Sequence, residues 1–217
     1  MKRCSVALVV LTCLSLGGCV ETRFASPLGD NIETCDTRWK GLWIDTRESR
    51  DKNEAAGFFV DKGCEVSVLD QTEPGGPIKR QHVPVNFVHD GSNDYLVVSD
   101  AQLKGLVEVP PLYAVSPKPE KSFYFVQYRF HGDTLELYDV NTPRVATLIV
   151  EEKLKGTVSK TSSELHAYVE GDRAQMLEIV RKQPVFNNKP GMVLERSKMS
   201  MDEYERSLVK PPKPHKK

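Results

Sequence analysis

Strong charge of one sign, recognisable catalytic motifs and long apolar runs are all missing from this sequence. Its 217 residues carry 30 basic and 30 acidic side chains, without the basic excess that is typical of nucleic-acid binders. The five histidines show no metal-ligand spacing. Gly-x-Ser-x-Gly, Ser-x-x-Lys with its partner motifs and the phosphate-binding Gly-x-x-x-x-Gly-Lys are absent. We therefore expect a protein that is not an enzyme, holds no metal or cofactor and binds no nucleic acid.

The longest apolar run lies near the N-terminus, at residues 5–14, and is too short to span a bilayer as a retained helix. Lys2 and Arg3 precede it, and residues 16–19 read Leu-Gly-Gly-Cys. This stretch resembles the lipobox of bacterial lipoproteins. The resemblance implies cleavage before Cys19, a diacylglycerol on its sulfur and an acyl chain on the new N-terminus, which together anchor a domain stably. The alternative is an ordinary secretory signal with a chance cysteine.

The residue after the acylated cysteine is Val20 rather than Asp. In Gram-negative lipoproteins, Asp at that position is the retention mark for the inner membrane. The resemblance therefore implies an outer-membrane lipoprotein that faces the periplasm, an expectation that is void for a Gram-positive organism.

The five cysteines separate into two groups. Cys4 and Cys13 leave with the signal and Cys19 is lipidated, so Cys35 and Cys64 remain in an oxidising compartment. We predict a disulfide between these two cysteines. Two separately buried thiols, or a catalytic thiol, are the alternatives.

Four regions follow from the changes in composition along the chain. We predict a lipoprotein signal peptide over residues 1–18, a flexible tether over 19–34, a β-rich domain over 35–199, and a short helix with a basic Pro/Lys tail over 200–217. The tail is a candidate for binding anionic lipid or cell-wall polymer, or it is a solvated end.

Short alternating segments separated by turn residues predict an antiparallel meander that forms a small barrel or sandwich. Strands are expected over residues 38–44, 57–60, 64–69, 78–88, 95–98, 122–130, 134–140, 144–150 and 191–196. Asp90, Ser92 and Asp94 surround Gly91 as in a calcium loop, but a hairpin turn explains the same residues.

Gly41-Leu42-Trp43 matches the Gly-x-Trp near the first strand of lipocalins, where the tryptophan closes one end of a small barrel. The order of a meander, a helix and a last strand also resembles the lipocalin plan. The resemblance implies a pocket, for which Trp43, Phe123, Phe125 and Tyr128 are the candidate lining residues. Alternatively, these aromatic side chains only fill the core.

Helices are expected late in the chain. Thr161 to Glu164 form a capping box that predicts one helix start, and Asp172 caps a second helix that ends before Pro184. Residues 108–121 contain four prolines and predict a long exposed loop, which is a lid, a partner surface or a spacer.

Two functional hypotheses follow. The first is a lipid-anchored binding module for an apolar or amphipathic ligand or an envelope protein. The second is a structural or inhibitory interaction protein with a filled core, acting through the proline-rich loop and the basic tail.

Overall fold

A computed structural model of the chain describes residues 19–45, 56–71 and 75–208. Within these residues, one mixed sheet is formed by the strands β1 (Cys19–Phe24), β2 (Gly41–Asp45), β3 (Gly57–Val60), β4 (Val66–Gln71), β5 (Ile78–His82), β6 (Asn86–Asp90), β7 (Asn93–Ser99), β8 (Phe123–His131), β9 (Thr134–Asp139), β10 (Gly156–Lys160), β11 (Glu164–Val169) and β12 (Met192–Arg196). The helices are α1 (Asp100–Leu103), α2 (Thr142–Val150), α3 (Arg173–Lys182) and α4 (Met201–Leu208). The predicted mainly β class with helices towards the C-terminus is confirmed.

The sheet runs in the order β10-β11-β1-β8-β9-β12-β2-β3-β4-β5, and β6 and β7 branch from β8. All pairs are antiparallel except β1 with β11, which run parallel. No pairing in the described part of the chain closes the sheet into a barrel. One edge of β8 changes partner along its length: Phe123 lies opposite Phe24 of β1, and from Val126 onwards β8 pairs with β9. The sheet therefore forks beside β8.

The largest apolar core lies inside the curve of the sheet. Trp39 and Trp43 are 1% and 0% exposed, as expected for core anchors. The strands from β8 to β4 in the sheet order, together with β6 and β7, contribute to this first core, which includes Phe58, Val60, Val66, Val68, Phe87, Leu96, Val98, Tyr128, Leu135, Leu137, Met192 and Leu194. Because strands far apart in the order share it, the sheet must curve around it.

A second core lies on the opposite face of β7 and β8, under α2 and α3. It contains Phe24, Leu28, Val88, Tyr95, Val97, Phe125, Val145, Leu148, Val169, Met176 and Val180 among others. A third, smaller core joins α4 to the outer face of β2 and β4 through Leu42, Leu69, Met201, Tyr204 and Leu208. The helices α2, α3 and α4 thus bury their apolar faces on the outside of the sheet, whereas Leu103 of α1 belongs to the first core.

Several predicted elements are confirmed by the structure. The hairpins β3–β4 and β8–β9, the closing strand β12 and the helix α4 lie where the turn and periodicity signals put them. Asp172 caps α3 in a capping box with Gln175. Residues 108–121 contain no helix or strand. The strand predicted over 78–88 is two strands, β5 and β6, separated at Pro84, which has no N–H for a sheet.

The flexible tether predicted over residues 19–34 is contradicted by the structure. The segment begins with β1, which pairs along its whole length with β11. Phe24 and Leu28 are both 0% exposed, and the Phe24 ring stacks on Phe125 at 4.0 Å between centroids. Burial of these side chains holds the segment on the domain despite its polar composition.

The strand predicted over residues 144–150 is wrong, since these residues belong to α2. Asn141 accepts a hydrogen bond from the Arg144 N–H as the N-cap, and Pro143 occupies the first turn. Val145 and Leu148 are buried three residues apart on one face. Capping and this helical spacing outweigh the β-branched content that favoured a strand.

The helix predicted to start at Thr161 is also wrong. The Thr161 hydroxyl accepts a hydrogen bond from the Glu164 N–H at 3.0 Å, as a cap would, but the bond closes a turn between β10 and β11. The residues that follow extend between β10 and β1 on either side. Pairing on both edges overrides the local capping signal.

Candidate functional site

A cleft of about 330 Å³ opens where β1 and β9 separate from their common neighbour β8. Four segments form its walls: the start of β1, the end of β9 with the first turn of α2, the middle of β7 with the start of β8, and the chain that leads into β12. The lining residues are Val20, Glu21, Thr22, Leu96, Val98, Tyr124, Phe125, Val126, Asp139, Val140, Asn141, Thr142, Pro143, Asn187 and Gly191. A cleft of this size is within the range of small-ligand sites.

The lining of the cleft is divided between apolar and polar side chains. Leu96 and Val98 on β7 alternate with residues of the opposite face, and so do Tyr124 and Val126 on β8. These four residues belong to or pack on the first core, so they give the cleft an apolar floor. Oxygen and nitrogen atoms of Asp139, Asn141, Thr142 and Asn187 supply a polar rim.

A buried hydrogen bond links the two arms of the fork, which are β1 on one side and β9 with the start of α2 on the other. The side-chain oxygens of Thr22 on β1 and Thr142 at the start of α2 lie 2.8 Å apart. Thr22 is 6% exposed and Thr142 is 3% exposed, so each hydroxyl depends on the other for a partner. The bond joins β1 directly to the start of α2 in the lining of the cleft.

The other face of β1 carries a buried ion pair. The Arg23 side chain pairs with Glu21, donates to the carbonyl of Pro110 and lies 5.4 Å from the Tyr124 ring centroid. Arg23 is 2% exposed. Burial raises the pKa of the Tyr124 hydroxyl, with the Glu21 carboxylate adding to the effect. The ion pair therefore connects β1, the cleft floor and the proline-rich loop.

His166 on β11 lies opposite Glu21 and under the same loop. Its ring is 4.6 Å from the Tyr113 ring, and its Nε2 lies 3.5 Å from Glu164 Oε2 without hydrogen-bond geometry. The proline-rich loop thus covers a polar face of β1 and β11. The composition of the loop left open whether it is a lid, a partner surface or a spacer. The contacts of Pro110 with Arg23 and of Tyr113 with His166 favour a covering role over a spacer.

A second polar cluster lies beside the disulfide. Arg38 pairs with Asp36 at 2.7 Å and with Asp94 at 2.9 Å, and Tyr128 donates to Asp36 at 2.7 Å. Burial alone would raise the pKa of Asp36, but hydrogen bonds from Arg38 and Tyr128 hold it below its ordinary value. His89 Nδ1 lies 2.6 Å from Asp94 Oδ1. These contacts fix the 3-10 turn Thr37–Trp39, and Arg38 pairs with both carboxylates of the cluster, Asp36 and Asp94.

The four residues predicted to line a pocket do not meet in one cavity. Trp43 and Tyr128 lie in the first core, at 0% and 1% exposed, whereas Phe125 and Phe123 belong to the second core on the other face of the sheet. Phe125 lines the cleft and the other three do not. Strand alternation explains the separation, because Phe125 and Tyr128 are an odd number of residues apart on β8.

Sequence reasoning missed most of the lining residues. Tyr124 and Val126 alternate along β8 with Phe123 and Phe125, two of the predicted pocket residues. Strand periodicity could therefore have identified them. The contributions of β1 and of residues 139–143 depend on the fork, for which the sequence carries no local signal.

The predicted disulfide between Cys35 and Cys64 is confirmed, with a Cα–Cα distance of 5.4 Å. The hairpin interpretation of residues 90–94 is confirmed as well, because Gly91 turns β6 into β7 and Asp90 pairs with Arg181 at 2.6 Å. Among the described residues, no group of three or more His, Cys, Asp or Glu side chains is placed to hold a metal ion.

None of the helices in the described ranges combines the length and the apolar character that crossing a membrane requires. No protein-family model matches the chain, and no curated protein or solved structure is significantly similar to it.

Proposed function

We propose that this chain is a lipoprotein anchored through Cys19 in the outer membrane, facing the periplasm, and that it binds a small amphipathic ligand without catalysis. The observation that carries the proposal is the cleft, with its apolar floor and polar rim, whose wall begins one residue after the lipobox cysteine. The Gly-x-Trp at Gly41 and Trp43 and the curved sheet around Trp43 support a lipocalin-like domain.

The dimensions of the cleft suit a short hydrocarbon chain. Its volume of about 330 Å³ equals that of about ten water-sized groups at roughly 30 Å³ each. Burying about eight methylenes at roughly 0.8 kcal/mol each contributes about 6 kcal/mol towards binding, from which the cost of association is subtracted. Hydrogen bonds between a polar head and the side-chain amides of Asn141 and Asn187 on the rim would strengthen binding further.

Titration with 11-(dansylamino)undecanoic acid tests the proposal. The protein is the mature chain, residues 19–217, with Cys19→Ser so that no lipid is attached. We expect micromolar binding, a loss of at least about tenfold in Val126→Trp, which fills the cleft floor, and no change in Val150→Trp. Val150 is the matched control, because it is 75% exposed at the end of α2.

Equal affinity in the wild type and in a folded Val126→Trp variant would contradict binding in the cleft. Circular dichroism and the urea midpoint establish that this variant folds.

The second candidate is a protein-interaction module that acts through residues 108–121 and the basic tail 210–217. A groove of about 600 Å³ beside the loop favours it, since Arg23, Lys104, Val107, Val109, Pro110 and Lys118 are among its lining residues. Tyr113 in the loop is 39% exposed. A photo-crosslinking residue at Tyr113 should then capture one specific envelope protein that the same residue at Val150 does not.

A further inference from the structure

We propose that the mouth of the cleft faces the membrane that holds Cys19, so that the ligand enters the cleft from that leaflet and not from bulk solvent. The inference rests on the proposed lipid at Cys19 and adds an orientation for the domain and a source for its ligand. Three observations support this orientation: the position of Cys19 in β1, the burial that holds β1 on the domain, and the charge at one end of the sheet.

The anchoring residue is itself part of the sheet. Cys19 pairs with Glu164, and each following residue of β1 pairs in register with β11 as far as Phe24 opposite Val169. Val20, Glu21 and Thr22 line the cleft. At about 3.3 Å per residue, this wall lies within about 10 Å of Cys19 along the strand. A lipid on Cys19 therefore places the cleft wall at the bilayer surface without a spacer.

β1 is packed too firmly on the domain for the domain to rotate about this strand. Phe24 is 0% exposed and stacks on Phe125, and Arg23 is 2% exposed in its ion pair with Glu21. The hydroxyl of Thr22 bonds to Thr142. Releasing β1 would expose these apolar side chains and leave buried polar groups without partners. The angle between the domain and the membrane is therefore set by β1.

Positive charge lies at the same end of the sheet. Lys160, Leu165 and Val20 form one row across β10, β11 and β1, and the Lys160 side chain is exposed. Lys189 is also exposed, and the residues that flank it, Asn187 and Gly191, line the cleft. Such exposed cations are attracted to an anionic lipid surface. Lys160 and Lys189 favour an anionic bilayer at the cleft mouth, and Arg23 pairs with the acidic Glu21 of the lining. Glu164 opposite Cys19 and Asp139 in the lining oppose this attraction.

Depth-dependent quenching tests the orientation. The lipidated chain is placed in vesicles of phosphatidylethanolamine and phosphatidylglycerol that contain a lipid spin-labelled at the head group. Single cysteines at Lys160, Lys189 and Lys155 carry a fluorophore, and the Cys35–Cys64 disulfide stays oxidised. Lys155 is the matched control, because it precedes β10 at the opposite end, about 16 Å from Lys160 at the usual rise of a strand.

Quenching several-fold stronger at positions 160 and 189 than at 155 is the expected result. Equal quenching at all three positions, stronger quenching at 155, or no quenching at any position would overturn the orientation. Mass spectrometry of the same sample separates this failure from failure of the proposed function: an unacylated Cys19 refutes the anchor, whereas acylated protein with the wrong quenching pattern refutes only the orientation.

Discussion

The guanidinium of Arg196 lies 4.2 Å from the centroid of the Trp43 ring. Its two terminal nitrogens donate to the carbonyl oxygens of Lys40 and Arg38, in the turn that leads into β2. Arg196 ends β12, and β12 pairs with both β2 and β9. The Arg196 side chain thus links β12, the last strand in the sequence, to the turn before β2. It also covers the fully buried ring of Trp43.

Arg196→Met should lower the free energy of unfolding by about 2–3 kcal/mol, because it removes a cation–π contact and two charge-assisted hydrogen bonds. Arg129→Met is the control: the Arg129 guanidinium lies 4.8 Å from the Tyr138 ring on an exposed strand position, and we expect a cost of at most about 1 kcal/mol. Urea denaturation measures both. Equal losses of unfolding free energy in the two variants would show that the hydrogen bonds from Arg196 to the carbonyls of Lys40 and Arg38 contribute nothing to stability.

The disulfide between Cys35 and Cys64 spans 29 residues and ties the start of the 3-10 turn to the β3–β4 turn. On the chain-entropy model, a loop of this length contributes about 3–4 kcal/mol to stability. The double variant Cys35→Ala with Cys64→Ala should lose that amount in urea denaturation. Thiol labelling of the native protein without reductant should modify neither cysteine, and labelling of either one would contradict the bridge in solution.

Asp36 makes the free energy of unfolding depend on pH in the acid range. Because its folded pKa is lowered, its carboxylate contributes stability that is complete above the unfolded value of about 3.9 and is lost as pH falls through the folded value. Asp36→Asn should cost about 1–3 kcal/mol at neutral pH and should lose less further stability on acidification. The control is Asp30→Asn, whose side chain is 90% exposed and whose curve should follow the wild type. Parallel curves for Asp36→Asn and the wild type would contradict this role.

The elements that sequence reasoning placed correctly carry local signals. Tight turns around Gly91 and Gly132 specify their hairpins, and Asp172 with Gln175 specifies the start of α3. The failures are non-local. β1 forms by pairing with β11, about 145 residues away, and nothing near Cys19 indicates this partner. The same pairing converts the capped segment after Thr161 into a strand, because long-range pairing outweighs a single cap.

The candidate site was less accessible to sequence reasoning than the fold. Of the aromatic residues predicted to line a pocket, Phe125 lies in the cleft lining, and Phe125 and Tyr128 project to opposite faces of β8 and serve different cores. A cleft at a fork requires knowledge of which strands share one edge of β8. That information lies in the pairing register and in no single stretch of the chain.

The bond between Thr22 and Thr142 offers a test of the fork itself. Thr22→Val alone leaves the buried Thr142 hydroxyl without its partner and should cost about 1–3 kcal/mol, whereas adding Thr142→Val removes both hydroxyls and should cost little more. A double-mutant cycle in urea should therefore give a coupling energy of about 1–3 kcal/mol. The same variants should bind the dansyl fatty acid more weakly if the bond sets the width of the cleft. Additive costs would mean that the two arms of the fork are held by packing alone.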